Sequence, residues 1–316
     1  MITVAGEVLI DLVDQGGGRY QAHNGGSGAN VAVGLARLAV PCSMLARISG
    51  DQLGRQLEAN LAGNGVSLRD VTRAAEPTTL ALASLDDAGR AVYSFYASGT
   101  ADWQWQPGEL PGELRPDVTA LHAVSLVLAM PPGASAVEQL LAAEHARGGV
   151  TVSIDPNIRP ALAGARADEA ARVERQIRLA HLVKASEEDI GWLYPGAGHA
   201  EVARRWQRLG PRVVVITLGE RGAFALAPDG TEVSRPAPAV EVADTVGAGD
   251  AFSAGLLDAL GQRGLLGGGD AALARVTPAE LGEVIGWAVL IASLTSARPG
   301  ADPPTLDEAR RAAALA

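Results

Sequence analysis

The sequence predicts an α/β protein with a mostly parallel sheet covered by helices, and two observations carry that reading. Short apolar runs alternate along the chain with longer segments whose apolar residues recur every three or four positions. No internal repeat or low-complexity tract interrupts them. The strand-like runs are Thr3–Ala5, Ser43–Arg47, Ala120–Val124, Val150–Ile154, Leu182–Lys184 and Arg212–Thr217. The helix-like segments are Gly28–Leu38, Gln52–Ala62, Ser135–Arg147, Asp168–Leu179, Ala200–Leu209, Ala248–Leu260 and Pro278–Ser296. Strict alternation of this kind implies parallel strands joined by helical crossovers. With 316 residues, 47% of them hydrophobic, one large core is affordable, so residues 1–316 read as a single α/β unit.

Two stretches break the alternation. Residues 9–23 contain the turn Gly16-Gly17-Gly18, and Thr78–Tyr96 reads as two strands, LALASL and AVYSFY, joined at Asp87-Ala88-Gly89. Both are amphipathic β in character, unlike the buried parallel runs. They predict a small accessory sheet inserted into the main unit.

Composition removes several function classes. The formal charge of −10 and the lack of a basic run argue against a nucleic-acid or anionic-membrane partner. A small phosphate ligand is still compatible, because backbone N–H groups can hold it. Cys42 is the single cysteine, which excludes an internal disulfide and fits a reducing cytoplasm. His23, His122, His145, His181 and His199 are scattered without ligand spacing and read as ordinary turn or surface residues. The amino terminus, MITVAGEVLIDLVD, shows neither a basic leader nor a long apolar run, so no signal peptide or membrane span is expected. Lys184 is the only lysine and lacks the glycines of a P-loop, so any nucleotide chemistry must run without a Walker lysine.

Two glycine-rich helix starts carry the chemistry. Asp244-Thr245-Val246-Gly247-Ala248-Gly249-Asp250 opens an apolar helix, presenting free amides and a positive dipole end to an anion. Gly25-Gly26-Ser27-Gly28-Ala29-Asn30 opens another, where glycine lets a ligand approach the backbone and Asn30 offers both donor and acceptor to hydroxyls. Taken singly, each has an ordinary reading as a turn and helix cap. Neither completes a Rossmann fingerprint or a nucleophile elbow.

In this order and at this separation the two motifs resemble the signatures of the ribokinase-like (PfkB-type) family of carbohydrate kinases, matched by GGSGANVAVGLARL and DTVGAGDAFSAG. Further landmarks agree: Asp11, Gly50-Asp51-x-x-Gly54, Asp155-Pro156-Asn157-x-Arg159, Thr217-Leu218-Gly219-x-x-Gly222 and Arg298-Pro299-Gly300-Ala301. The resemblance implies a three-layer α/β/α fold with a mostly parallel central sheet and a small β-sheet lid, the latter from about 9–23 and 78–102.

For activity, it implies transfer of the γ-phosphate of ATP to a sugar hydroxymethyl group. Asp250 would be the general base, and the amides of Gly247, Ala248 and Gly249 would hold the migrating phosphoryl group. Asp11, Gly25, Gly26, Asn30, Tyr96 and Arg159 would bind the sugar. Lys184, Thr217, Gly219, Gly222, Gly247, Gly249 and Val289 would bind ATP. Mg²⁺ would bridge the phosphates near Glu188 and Asp189, although Ser186-Glu187-Glu188-Asp189 departs from the family's Asn-x-x-Glu. Asp244 and Thr245 match a monovalent-cation position, commonly potassium. In the fructokinase and 2-keto-3-deoxygluconate kinase branches, Phe95-Tyr96-x-x-Gly99-Thr100-Ala101-Asp102 lies near the sugar. Relatives taking an acidic sugar tend to carry arginine where Ala97 stands here, which favours fructose, while Arg159 keeps 2-keto-3-deoxygluconate open. A non-catalytic sugar or nucleotide sensor is the reading from another class. A homodimer through the accessory sheets is the expected assembly.

Overall fold

A computed structural model describes residues 1–85 and 91–315. The expected hairpin turn at Asp87-Ala88-Gly89 lies outside the described residues. The strands are β1 (Ile2–Ala5), β2 (Leu9–Asp14), β3 (Tyr20–Gly25), β4 (Cys42–Ser49), β5 (Ser67–Ala74), β6 (Leu80–Leu85), β7 (Ala91–Tyr96), β8 (Ala120–Val124), β9 (Thr151–Asp155), β10 (Leu182–Ser186), β11 (Val213–Thr217), β12 (Ala223–Leu226) and β13 (Glu232–Arg235). The helices are α1 (Ser27–Arg37), α2 (Gln52–Gly63), α3 (Gly133–Arg147), α4 (Arg166–Ile177), α5 (Glu187–Leu193), α6 (His199–Gln207), α7 (Ala248–Gln262), α8 (Gly269–Leu273), α9 (Pro278–Ser296) and α10 (Leu306–Ala313).

Nine strands form the main sheet in the order β13-β12-β11-β10-β9-β8-β1-β4-β5. Strands β11 to β5 in that order run parallel, and β12 and β13 are antiparallel additions at one edge. Helices α1, α2, α7 and α9 bury their apolar sides against one face, while α3, α4, α5 and α6 cover the other. That is the three-layer arrangement, and it explains why β1, β8 and β11 are apolar nearly throughout: they are covered on both faces. The expected parallel strands and long helices are found within a few residues of their ends. The edge strands β5 and β13, and β12 beside the latter, were not expected, because SLRDVTRA and EVSR are polar and AFAL is only four residues long.

The second sheet, order β3-β2-β6-β7, stands apart from the first. Strand β2 pairs antiparallel with β3, Leu9 opposite Gly25, and parallel with β6, Ile10 opposite Leu80. The second half of this sheet, β6 and β7, falls within the Thr78–Tyr96 expected as two strands. Its strands end at Tyr96, and Thr100, Ala101 and Asp102 return into the body, where all three are buried.

Local chemistry sets the helix ends. Thr277 and Glu280 form a capping box with Pro278 in the first turn of α9, and Asp51 caps α2 by accepting the Gly54 amide at 2.7 Å. By length and apolarity α9 would suffice to cross a bilayer, but it packs on α7 and β13 with nine residues buried, as a core helix does. The histidines correct the expectation of surface positions: His122 and His181 are buried, and His181 stacks on His145 with ring centroids 4.7 Å apart. His122 lies on β8 against Ser153 at 2.9 Å, and burial pulls its pKa down to about 3, so it is a neutral part of the sheet.

Helices α1 and α7 approach closely because Gly34 faces Ala254; a Cβ on Gly34 would lie 2.8 Å from the Ala254 Cβ. Gly34→Val is therefore expected to cost about 1–3 kcal/mol by overpacking, read as a lower midpoint in urea unfolding. An unchanged midpoint would mean that the two helices have room to part.

Candidate active site

The parallel strands end on one side of the sheet, and the chain segments leaving those ends carry most of the motif residues, as expected for open α/β sheets. Strand β1 delivers Glu7, β9 delivers Asn157 and Arg159, β10 delivers Lys184 and Ser186, and helices α1 and α7 begin above the same edge. The two glycine-rich starts meet there. Asn30 Nδ2 donates to Asp250 Oδ2 at 2.8 Å, across 220 residues of sequence.

Glycine is required at both starts. A Cβ on Gly247, whose φ is +75°, would lie 2.5 Å from the Ala301 Cβ, and one on Gly26, at φ +99°, would lie 2.4 Å from the Glu7 carbonyl oxygen. Gly25 leaves room for the Asp11 carboxylate, since its Cβ would fall 1.9 Å from Asp11 Oδ2. The Ala248 amide turns back to the Thr245 carbonyl at 3.3 Å, so of the three amides expected to face an anion this one is already engaged.

Burial raises the pKa of Asp250 to about 6, against the opposing pull of the Asn30 hydrogen bond and the charges of Lys184 and Arg159. Burial likewise raises Asp11 to about 6, with Arg159 opposing and Glu7 adding to it. Lys184 is buried beneath α7 and bonds Asp155 Oδ2 at 2.8 Å. A Cβ on Gly249 would come within 3.1 Å of its Nζ, so this single ammonium lies directly behind the helix start. Burial alone would lower its pKa, but Asp155, Asp189 and Asp250 outweigh it and the net shift is upward, so it remains charged.

Arg159 reaches the same place from β9. Its Nη1 donates to Asn157 Oδ1 at 2.5 Å and its Nη2 to Ser27 Oγ at 3.3 Å, while Asn157 Nδ2 bonds the same hydroxyl at 2.7 Å. Asn157 holds φ at +37°, a strained turn secured by these contacts. Glu7 was not anticipated. It is buried after β1 and accepts the Ser27 amide at 3.1 Å and the Leu126 amide at 3.2 Å, capping α1 from another segment. Its position just past the end of β1 was the available signal.

A cleft of about 490 Å³ opens between α1 and the small sheet, with Asp11, His23, Asn24 and Asn30 in its walls. Tyr96 is 62% exposed and is not among those walls. A second groove, about 810 Å³, runs beside α9 and includes Pro236, Ala237, Pro238, Gly286 and Val289. Of the residues expected at ATP, Val289 lines it, whereas Thr217 and Gly219 lie outside its walls. Gly222 is needed for packing, as a Cβ there would fall 2.0 Å from the Arg235 carbonyl; the Cβ direction of Gly219 is open.

The expected magnesium residues are differently employed. Asp189 closes a capping box with Ser186 and accepts the Ile158 amide at 2.6 Å, so both carboxylate oxygens already serve the backbone. Glu188 is exposed. Among the described residues no group of three or more His, Cys, Asp or Glu side chains could hold a metal. Asp244 accepts the Val246 amide at 3.0 Å and the Gly300 amide at 2.9 Å, tying the turn before α7 to the turn after α9.

A family model for the pfkB family carbohydrate kinases matches residues 1–308. The chain belongs to that family. A fructokinase from Rhizobium leguminosarum bv. trifolii is 35% identical over 270 residues, covering 84% of this chain and 81% of the relative. Among solved structures, a fructokinase with bound ATP from Xylella fastidiosa superposes with a TM-score of 0.88 at 27% identity, covering 98% and 97% of the two chains. A fructokinase from Vibrio cholerae O395 with fructose, ADP and calcium bound gives 0.81 at 29% identity, covering 95% and 94%.

In this PfkB kinase the pair of Lys184 and Asp155 is a costly construction that only complete pairing sustains. Lys184→Met is expected to lower stability by about 3–5 kcal/mol, measured by denaturant unfolding, because Asp155 stays buried without its partner. Adding Asp155→Leu should recover much of that loss, and a double variant as unstable as the single would remove the ion pair from the account.

Proposed function

We propose that this kinase transfers the γ-phosphoryl group of ATP to a hydroxymethyl group of a neutral ketohexose, fructose foremost. The observation that carries it is the 2.8 Å bond from Asn30 to Asp250, which supports a common role for this amide and this buried carboxylate toward one hydroxyl acceptor. Asp250 takes the hydroxyl proton as the alcohol oxygen forms its bond to the γ-phosphorus and the bond to ADP breaks. A carboxylate raised to about 6 suits removal of that proton near neutrality.

The remaining roles follow from position. Asp11, Asn30 and the backbone of Gly25 and Gly26 orient the acceptor, with Arg159 at its far side. The amides of Gly247 and Gly249 receive the phosphoryl oxygens, and Lys184 behind them supplies positive charge in a site otherwise crowded with acids. Val289 and the prolines of its groove suit the flat face of adenine. The small sheet acts as a lid that excludes water. Preference for a neutral sugar is supported by Ala97, a buried residue packed with Trp103 and Leu126 where an acidic sugar would call for a guanidinium.

Magnesium, when bound, neutralises charge on the transferring phosphates; the residues present fit an ion carried by the nucleotide and water rather than a protein cage. Asp244 and Thr245 are kept as the position of a monovalent cation. Tyr20 and Tyr96, exposed on the small sheet, support a dimer in which a second copy covers them. The cytoplasm is the compartment that suits a free buried Cys42.

With Mg-ATP, fructose should be turned over faster than ribose, 2-keto-3-deoxygluconate or nucleosides in a coupled ADP assay. Preference for 2-keto-3-deoxygluconate would reassign the acceptor, and no turnover on the whole panel would end the kinase reading. Asp250→Asn should lower kcat by about 10²–10⁴-fold or more with ATP affinity within a few-fold of wild type by calorimetry. Binding and turnover both unchanged would remove Asp250 from the reaction. Because the base must be ionised, kcat/KM should fall about tenfold per pH unit below about 6; a flat profile down to pH 5 would contradict the assignment.

A further inference from the structure

We propose that Asp102 is a positioning residue for phosphoryl transfer, its carboxylate joining the roots of β2 and β6 so that the small sheet carries Asp11 onto the acceptor as one piece. This rests on the kinase reading above and deepens it.

Asp102 is 2% exposed and is not among the residues lining the cleft beside α1, so it acts from behind that cleft. Its Oδ1 accepts the Val8 amide at 2.8 Å, and its Oδ2 accepts the Thr79 hydroxyl. Val8 immediately precedes β2 and Thr79 immediately precedes β6. The first backbone rung between these segments is Ile10 to the Thr79 carbonyl, 3.1 Å. Asp102 therefore adds a link on the body side of the last backbone bond, where the two strands would otherwise be free to splay.

The residue is itself anchored. Arg47, buried on β4 and paired with Glu76 at 3.2 Å and Glu109 at 2.9 Å, donates to the Ala101 carbonyl at 3.1 Å. On the other side of the β6 root, Asp51 accepts both the amide and the hydroxyl of Thr78, at 2.9 and 2.7 Å. That gives the Gly50-Asp51-x-x-Gly54 motif a second task beyond capping α2. Root β6 is thus pinned twice by carboxylates of the body, whereas Val8 depends on Asp102.

The lever is long enough to matter. Asp11 lies three residues beyond Val8, about 10 Å along an extended strand. A rotation of about 6° at Val8 would move Asp11 by about 1 Å, and a misplacement of that size can cost about a hundredfold in rate. A carboxylate suits the position because both groups it meets are donors. Asparagine keeps one acceptor for Val8 and can donate to the Thr79 oxygen, so it is the conservative replacement.

The test compares Asp102→Ala, Asp102→Asn and Thr79→Val with wild type, using fructose and Mg-ATP. Asp102→Ala should raise the acceptor KM about tenfold, leave the ATP KM within about twofold, and raise ATP hydrolysed per sugar phosphate formed. Asp102→Asn should restore most of the acceptor KM, and Thr79→Val should show a smaller change in the same direction. A folded Asp102→Ala with wild-type acceptor KM and coupling overturns the proposal, whatever its melting temperature. If that variant does not fold, an unmoved acceptor KM in Thr79→Val does so instead. Wild type inactive on every acceptor would defeat the kinase reading as well; an active wild type with unmoved variants defeats this inference alone.

Discussion

The structure depends on bringing the amino-terminal ends of α1 and α7 together. Helix starts repel one another, since each presents unpaired N–H groups and a positive dipole end. Here the repulsion is met by buried carboxylates: Glu7 caps α1, and Asp250 sits in the first turn of α7 and receives Asn30. The close packing of Gly34 on Ala254 and of Gly255 on Ala288 holds the helices, and so the two starts, in register. An anionic ligand placed between them would complete what the protein begins.

Those carboxylates come at a thermodynamic cost that reveals the purpose of the site. Asp250, Asp11, Asp102 and Glu7 are all shifted upward by burial, and a core built only for stability would not gather them. Among the described residues Lys184 and Arg159 answer Asp250, and Arg159 answers Asp11 and Glu7, from the neighbouring parallel strands β10 and β9 and the segment beyond β9. An uneven balance of this kind favours ligands that arrive with their own cation.

The small sheet gives the cleft beside α1 its second wall. It joins the body through a few backbone crossings, where threonines held by aspartates stand beside the buried apolar side chains of Val8 and Ile10.

Much of this was legible in the chain. The alternation of apolar runs with helical periodicity foretold the parallel sheet, and GGSGAN and GAGD located both helix starts, because glycine at positive φ and a helix amino terminus leave local marks. The edge strands and Glu7 were not legible: short or polar strands lack a burial pattern, and a lone glutamate has no local signature. Sequence alone determined the central parallel strands, the long helices and the chemistry available, as these follow from neighbours along the chain. Tertiary structure alone decided the partners, Asn30 with Asp250, Lys184 with Asp155, Asp102 with Val8 and Thr79, and Asp189 with the Ile158 amide. Contacts across tens or hundreds of residues depend on how layers pack, and no single stretch of sequence records that.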